Sequence, residues 1–336
     1  MLKNILFNDR MYKINIELIC LCYYKNKSGG VFIKNLLLIK NPIAGRNSTR
    51  ISTDDIIRAF REYDIECFEK TTTCQGDGIN IAKKYAADFD AIICCGGDGT
   101  YNEVINGLMY AGVDKPVIYL PCGSTNDFAN TLSLTKDPHS AAKMYVDGLS
   151  NRYDIGTFND KYFCYIASFG MATEISYSTS QNIKNLFGHS AYLINGFVLK
   201  LIPMIKNMKP AHMRIEYDDG VIDDSFYFGA VANTNEISGL FKLEKNDIRM
   251  NDGKFELLLV RGSSPRAVAD AFVSALRQDY SGDNIFLVKT SKVKITAIDE
   301  VPWTLDGEYG GIHKEIDINV LNEQINVVSP KGRFLL

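Results

Sequence analysis

"IICCGGDGTYNEVINGL", residues 92–108, runs an apolar strand into three glycines set around one aspartate, and a helical pattern follows at once. Glycines between a strand and a helix let backbone N–H groups come close to a phosphate, and the helix N-terminus adds positive potential. Asp98, the lone carboxylate of the loop, would repel that phosphate. A divalent cation held between the two removes the conflict.

Outward from this stretch, strands and helices alternate. "NLLLIKNP" from Asn35 is a short apolar strand, and residues 53–63 carry Ile56, Ile57 and Phe60 at helical spacing behind a Ser/Thr/Asp start. "IECFEKTT" reads as a strand, "DGINIAKKYA" as a helix, "FDAIICC" as the third strand and "KPVIYLP" as the fourth. After Asp98, one helix face collects Val104, Ile105, Leu108 and Met109. Such alternation implies βαβ units and a mainly parallel, three-layer α/β domain. Ligands of open parallel sheets bind beyond the carboxyl ends of the strands. Three loops leave such ends, "NPIAGRNS" (41–48), "GGDGT" (96–100) and "PCGSTND" (121–127), and each is rich in Gly, Ser, Thr or Asn.

Near Asn151 the pattern changes. "RYDIGTFNDKYFCYIASFG" reads as a hairpin turning at Asn159-Asp160, and short alternating strands follow at 211–217, 221–232, 253–261, 291–298, 303–306 and 315–320. This half is expected to be a β-rich sandwich or barrel with a few helices, one of them at about 188–206 with Leu193, Phe197, Leu201 and Ile205 on one stripe. The expected division is an α/β domain over 34–152, completed by 324–336, and a β-sandwich domain over 153–323. Residues 1–33 form an extension in which "INIELICLCYY" is too short for the ~20 residues of a membrane-spanning helix. No signal-peptide cleavage site follows it.

At 336 residues and 46% hydrophobic content the chain can build two cores. A net charge of -3 argues against nucleic acid as a partner, because no basic stripe would offset a phosphate backbone. Eight cysteines form no C-x-x-C pair and no metal-ligand spacing with the four histidines, which points to a reducing, cytoplasmic setting.

The chain contains no G-x-x-x-x-G-K-[ST] loop, and the third glycine of a dinucleotide fingerprint is replaced by Asn102. GGDGT alone would also admit a NAD kinase or a phosphofructokinase-like enzyme. In combination, "NPIAG", "GGDGTYNEVINGL", "PCGSTNDFANTL" and "LDGEYGG" resemble the diacylglycerol kinase catalytic family, over about residues 34–330. The resemblance implies an ATP-dependent lipid kinase acting on diacylglycerol, with Mg2+ as cofactor. Kinases of phosphatidylglycerol, sphingoid bases or NAD are the nearest rivals, and a catalytically silent lipid or nucleotide sensor is a rival of another class.

The resemblance also implies roles for residues. Asn41, Pro42, Ile43, Ala44 and Gly45 would cradle ATP together with Gly97, Gly99, Thr100 and Asn102, and Asp98 would lie near Mg2+. "TTTCQGDG" would contribute a threonine, Thr72 or Thr71, with Thr72 preferred, and Ser124 and Thr125 would face the nucleotide. Asp127 either caps the following helix or reaches the active centre. Asn130 stands where bacterial members often carry a basic residue, and Arg46 or Lys40 are candidates to compensate. A lipid hydroxyl needs a base to attack the γ-phosphate, and the family's base is the Glu of D-G-E, here Glu308. Taken alone, D-G-E is usually a solvated hairpin turn. Asp154 would support the centre through a water and metal network, or else make a plain interdomain hydrogen bond. "DIRMNDGKFELLLV" resembles a structural Mg2+ site, with the Asp252 carboxylate and the main-chain carbonyls of Arg249 and Lys254 as ligands.

A membrane-borne substrate implies transient peripheral contact with the inner face of the membrane. The stretch 189–209, with Lys200, Lys206 and Lys209, is the candidate contact, unless it is a core helix with solvated lysines. Homodimer formation is compatible with the sequence.

Overall fold

The computed structural model describes residues 34–44, 51–123, 126–170, 202–203, 205–234, 236–237, 241–242 and 249–330. Strand β1 (Lys34–Lys40) carries four consecutive buried residues, Leu36 to Ile39, the mark of a strand covered on both faces. It runs parallel to β3 (Ala91–Gly96), which runs parallel to β4 (Val117–Pro121); β2 (Ile65–Thr71) forms the edge, in the order β2-β1-β3-β4. Alternate residues then face opposite helices. Leu37, Ile39, Ile92 and Cys94 pack with Ala82 of α2 (Asp77–Tyr85) and with Val104, Ile105 and Leu108 of α3 (Asp98–Ala111). Leu36, Leu38, Ile93 and Cys95 pack with Ile56, Ala59 and Phe60 of α1 (Thr53–Arg61). The period of two along the strands meets the period near four along the helices, so two cores form on the two faces.

Helix α1 starts where Ser52 accepts the Asp55 N–H at 3.0 Å, with Asp54 and Asp55 in its first turn favouring the positive dipole end. After β4 come a short helix α4 (Asp127–Thr131) and α5 (Pro138–Val146), whose Ala141 and Ala142 close onto the α1 side of the sheet.

From β5 (Ser150–Phe158) the pairing becomes antiparallel, turning through Asn159 (φ 53°) into β6 (Lys161–Phe163) and leading to β7 (Ile166–Gly170). Strands β8 (Ala211–Tyr217) and β9 (Gly220–Ala232) form a hairpin; β10 (Glu236–Ile237) and β11 (Phe241–Lys242) make a small separate ladder. Strands β12 (Phe255–Arg261) and β13 (Ile285–Thr290) flank helix α6 (Pro265–Leu276). The chain ends in β14 (Lys292–Leu305) and β15 (Glu308–Val328). Both β9 and β14 pair with β7 over one stretch and with β8 over another, so the ladder closes around Trp303, Phe169, Phe226 and Ile215.

Two expected strands, 291–298 and 303–306, are one strand here. Its register shifts between Thr296 and Val301, where exposed polar residues interrupt the sequence alternation without ending the strand. The expected strand 315–320 is likewise the middle of β15. This 21-residue strand pairs with β14 and β5, and it meets β4 in parallel where Val327 lies opposite Val117. One continuous sheet therefore joins Glu308 to the parallel strands. The extension 1–33 and, apart from a few residues after 201, the helix expected at 188–206 lie outside the described residues.

Candidate active site

The glycine loop lies at the carboxyl end of β3, and its neighbours are built from backbone. A Cβ placed on Gly123 would come within 2.7 Å of the Gly97 Cα, so the GGDGT and PCGSTND loops touch main chain to main chain. The Cys122 N–H donates to the Gly96 carbonyl at 2.7 Å and ties the two strand ends together. Asn41 joins the third loop: its Nδ2 donates to Thr100 Oγ1 at 3.0 Å, and its Oδ1 accepts the N–H groups of Ile43 and Ala44. The three loops thus meet on one rim, with Pro42 inside the turn that Asn41 folds. Gly45, Ser124 and Thr125 lie outside the described residues.

Thr72 donates its N–H to the Lys40 carbonyl at 2.9 Å, which places it beside the start of the Asn41 loop. Thr71 instead turns its hydroxyl to Glu69. Lys40 gives its ammonium to Thr53 Oγ1 at 2.8 Å, the first residue of α1. Sequence reasoning passed over Glu103, whose two carboxylate oxygens accept the Gly76 and Gly78 N–H groups at 2.7 and 2.9 Å. It holds the "TCQGDG" turn against α3.

Asp98 opens α3, but its carboxylate does not cap that helix. Oδ2 accepts the Asp127 N–H at 3.1 Å, at the start of α4, and Oδ1 is 3.5 Å from the Tyr119 hydroxyl. Burial pushes its carboxyl up to about 7, reinforced by the negative charges of Asp127 and Asp306. Among the described residues no three His, Cys, Asp or Glu side chains form a ready cage for a metal ion. Mg2+ commonly takes one or two carboxylates and leaves the rest of its shell to water and substrate phosphates, and the donor set here fits that mode.

The β-rich half supplies the other side. Asp306 and Gly307 have φ of 50° and 83°, the left-handed pair that a two-residue type I′ hairpin turn requires between Leu305 and Glu308. The aspartate of this turn is withdrawn from solvent, whereas Gly307 and Glu308 are exposed. Asp306 is 3% exposed, and its carboxylate accepts the N–H groups of Cys164, Tyr165 and Ile166 at 2.7, 2.9 and 3.0 Å. It also accepts Asn102 Nδ2 at 2.6 Å, from the second turn of α3. Burial raises the Asp306 carboxyl, and those four donors oppose the rise. Two residues on, Glu308 lies against the glycine loop: a Cβ on Gly99 would be 2.8 Å from Glu308 Oε1. The absent side chain at Gly99 is the space that the Glu308 carboxylate uses. The side chain of Asn102 is engaged within the protein, its Oδ1 also accepting Asn106 Nδ2 at 3.1 Å.

Asp154 and Asp252 form a separate group. Asp154, fully buried, accepts the Gly253 and Glu323 N–H groups, each at 2.7 Å, and Asn322 Nδ2 at 2.8 Å. Asp252 Oδ1 accepts the Lys254 N–H, and Oδ2 lies 3.5 Å from the Lys289 ammonium; Arg249 is exposed nearby in sequence. Next to it, Glu256 is buried with Oε2 unpartnered among the described residues, and burial pushes its carboxyl up to about 8. That donor chemistry suits a cation, and Lys289 already supplies part of the positive charge.

A family model for the diacylglycerol kinase catalytic domain matches residues 35–158. A diacylglycerol kinase of Bacillus subtilis is 33% identical over 304 residues, spanning 90% of this chain and 98% of that protein. The chain belongs to the diacylglycerol kinase family. A diacylglycerol kinase of Staphylococcus haemolyticus is 30% identical over 301 residues and is matched over 88% of each chain. The fold is shared with a solved diacylglycerol kinase of Bacillus anthracis, at TM-score 0.66 and 21% identity, covering 90% of this chain and 99% of that one. As a member of this family the chain is a lipid kinase, a phosphotransferase acting on a hydroxyl. No helix among its described residues is long and apolar enough to cross a membrane.

Proposed function

We propose that this kinase transfers the γ-phosphate of ATP to diacylglycerol and forms phosphatidic acid, with Glu308 as general base and Asp98 as the carboxylate at Mg2+. The observation that carries this assignment is the Glu308 carboxylate lying against Gly99, so that the base of one half meets the phosphate loop of the other. Main-chain N–H groups at the start of α3 attract the phosphates, and the small residues of the loop let them approach. Asn41, Pro42, Ile43, Ala44, Gly45, Thr72, Gly97, Thr100, Ser124 and Thr125 border the nucleotide. The Asp98 carboxylate would hold Mg2+ at the loop, and the ion would supply neutralisation of the phosphate charge. Glu308 accepts the proton of the attacking hydroxyl.

In this scheme residues 34–152 with 324–336 make the three-layer nucleotide domain, and 153–323 make the lipid domain, a β-sandwich that docks transiently on the membrane face. Asp252, with the carbonyls of Arg249 and Lys254, holds a second, structural Mg2+. Incubation with labelled ATP, Mg2+ and a total lipid extract tests the assignment. Labelled phosphatidic acid is expected; a different labelled lipid would reassign the acceptor, and no labelled lipid at all would remove the kinase chemistry.

A further inference from the structure

Helix α3 carries Asp98, Asn102 and Asn106 four residues apart, one below the other on a single face. Each reaches a different chain segment. Asp98 meets the start of α4, whereas Asn102 donates to Asp306 at 2.6 Å and to the Tyr162 carbonyl at 3.3 Å. Asn106 completes the set: its Nδ2 donates to the Tyr162 carbonyl at 3.0 Å and its Oδ1 accepts the Tyr162 N–H at 3.1 Å. The same segment supplies the three N–H groups that hold Asp306, and the Asp306 N–H returns a bond to the Ile166 carbonyl at 2.8 Å. The Asp306-Gly307 turn is therefore clamped from both sides, by 162–166 and by α3. Glu308 is the next side chain after that clamp. A short contact between an amide and a desolvated carboxylate is among the stiffer links a protein makes, and a two-residue turn leaves little slack to absorb an error.

We propose that Asn102 and Asp306 are a positioning pair that sets the Glu308 carboxylate against Gly99, acting on the phosphoryl-transfer step and not on nucleotide binding. This rests on Glu308 being the base. Asn102 is the residue to vary, because Asp306 keeps its three main-chain donors when the amide is removed and the turn survives.

The test is a kinetic double-mutant cycle with Asn102→Ala and Glu308→Gln, assayed with ATP and dispersed diacylglycerol. Asn102→Ala should lower kcat by about 10- to 100-fold, the scale of a misplacement near 1 Å, with KM for ATP changed less than about twofold. In the Glu308→Gln background the same substitution should add less than about twofold, because residues acting as a unit are not additive. A raised KM for ATP with kcat preserved would overturn the proposal and return Asn102 to the nucleotide. Full additional loss in the Glu308→Gln background would overturn it too, as a structural effect independent of the base. Near-normal activity of Glu308→Gln alone would instead remove the assignment of the base, and the pair with it. If Asn102→Ala lowers the melting temperature by more than a few degrees, the isosteric Asn102→Asp replaces it. Setting a like charge against Asp306, it should lower kcat further than Ala does, again only while Glu308 is present.

Discussion

Two Asp-Gly turns in the β-rich half share a dipeptide and differ in what their aspartate does. At 306–307 the aspartate itself is the buried acceptor, taking three main-chain donors and an amide from α3. At 252–253 the buried acceptor is Asp154, on β5, which takes the Gly253 N–H, while the carboxylate of Asp252 stays near the surface beside Lys289. Whichever carboxylate is buried pins the turn and is used up in doing so. The exposed one keeps its lone pairs for something else. The dipeptide dictates a turn; the segments that pack against it decide whether its aspartate is a strut or a candidate ligand.

The largest expected effect follows from the strut. Glu308→Gln should lower turnover by about 10²–10⁴ and leave ATP affinity nearly unchanged, measured by steady-state kinetics alongside nucleotide titration. Retained activity would move the base elsewhere, with Asp127 next in line because it adjoins Asp98. Asp98→Asn should cost about 10² in rate, with a raised Mg2+ requirement at fixed ATP and a melting temperature within a few degrees of wild type. Asparagine can still accept the Asp127 N–H, and the repulsion among Asp98, Asp127 and Asp306 is relieved. Unchanged kinetics would reduce Asp98 to an anchor for α4.

Stability should separate the two turns directly. Asp306→Ala strands three buried N–H groups, each at about 1–3 kcal/mol, so thermal or denaturant melting should show a loss of several kcal/mol. Asp252→Ala leaves Asp154 and its donors in place and should cost less than about 1 kcal/mol without Mg2+. An equal loss at both sites would erase the distinction. The smallest effect sharpens it: millimolar Mg2+ should raise the melting temperature of nucleotide-free wild type slightly and leave Asp252→Ala unmoved, since binding to the folded state stabilises by mass action. A wild type indifferent to Mg2+ would leave the turn with Lys289 as its counter-charge among the described residues.

Much of this was legible along the chain. The strand and helix alternation from Lys34 to Pro121 appears nearly as spaced, because β1, β3 and β4 are buried on both faces, the edge strand β2 keeps a β-rich run, and each helix shows one apolar stripe. Helices α5 and α6 were not picked out individually. The first buries mainly alanines, which leave little pattern, yet both carry a start signal: Asp137 caps Ser140 ahead of Pro138, and Ser264 caps Ala267 ahead of Pro265. Glu103 and Asn106 were missed, although Asp98, Asn102 and Asn106 repeat every four residues on a helix otherwise apolar on its core side. A polar stripe of that period marks a second buried partner.

By itself the sequence determined that a glycine loop follows a buried strand, that three such loops end neighbouring strands, and that an Asp-Gly pair turns a hairpin before Glu308. These are local matters of backbone freedom and side-chain period. Only the tertiary structure decided that the aspartate of the hairpin turn is buried, that its carboxylate is taken up by three main-chain N–H groups and Asn102, and that Gly99 is small to make room for Glu308. Those facts join residues about two hundred positions apart. No local preference encodes such a distance; it is set when β15 pairs with β5 and meets β4 in one sheet, carrying the far end of the chain back to α3.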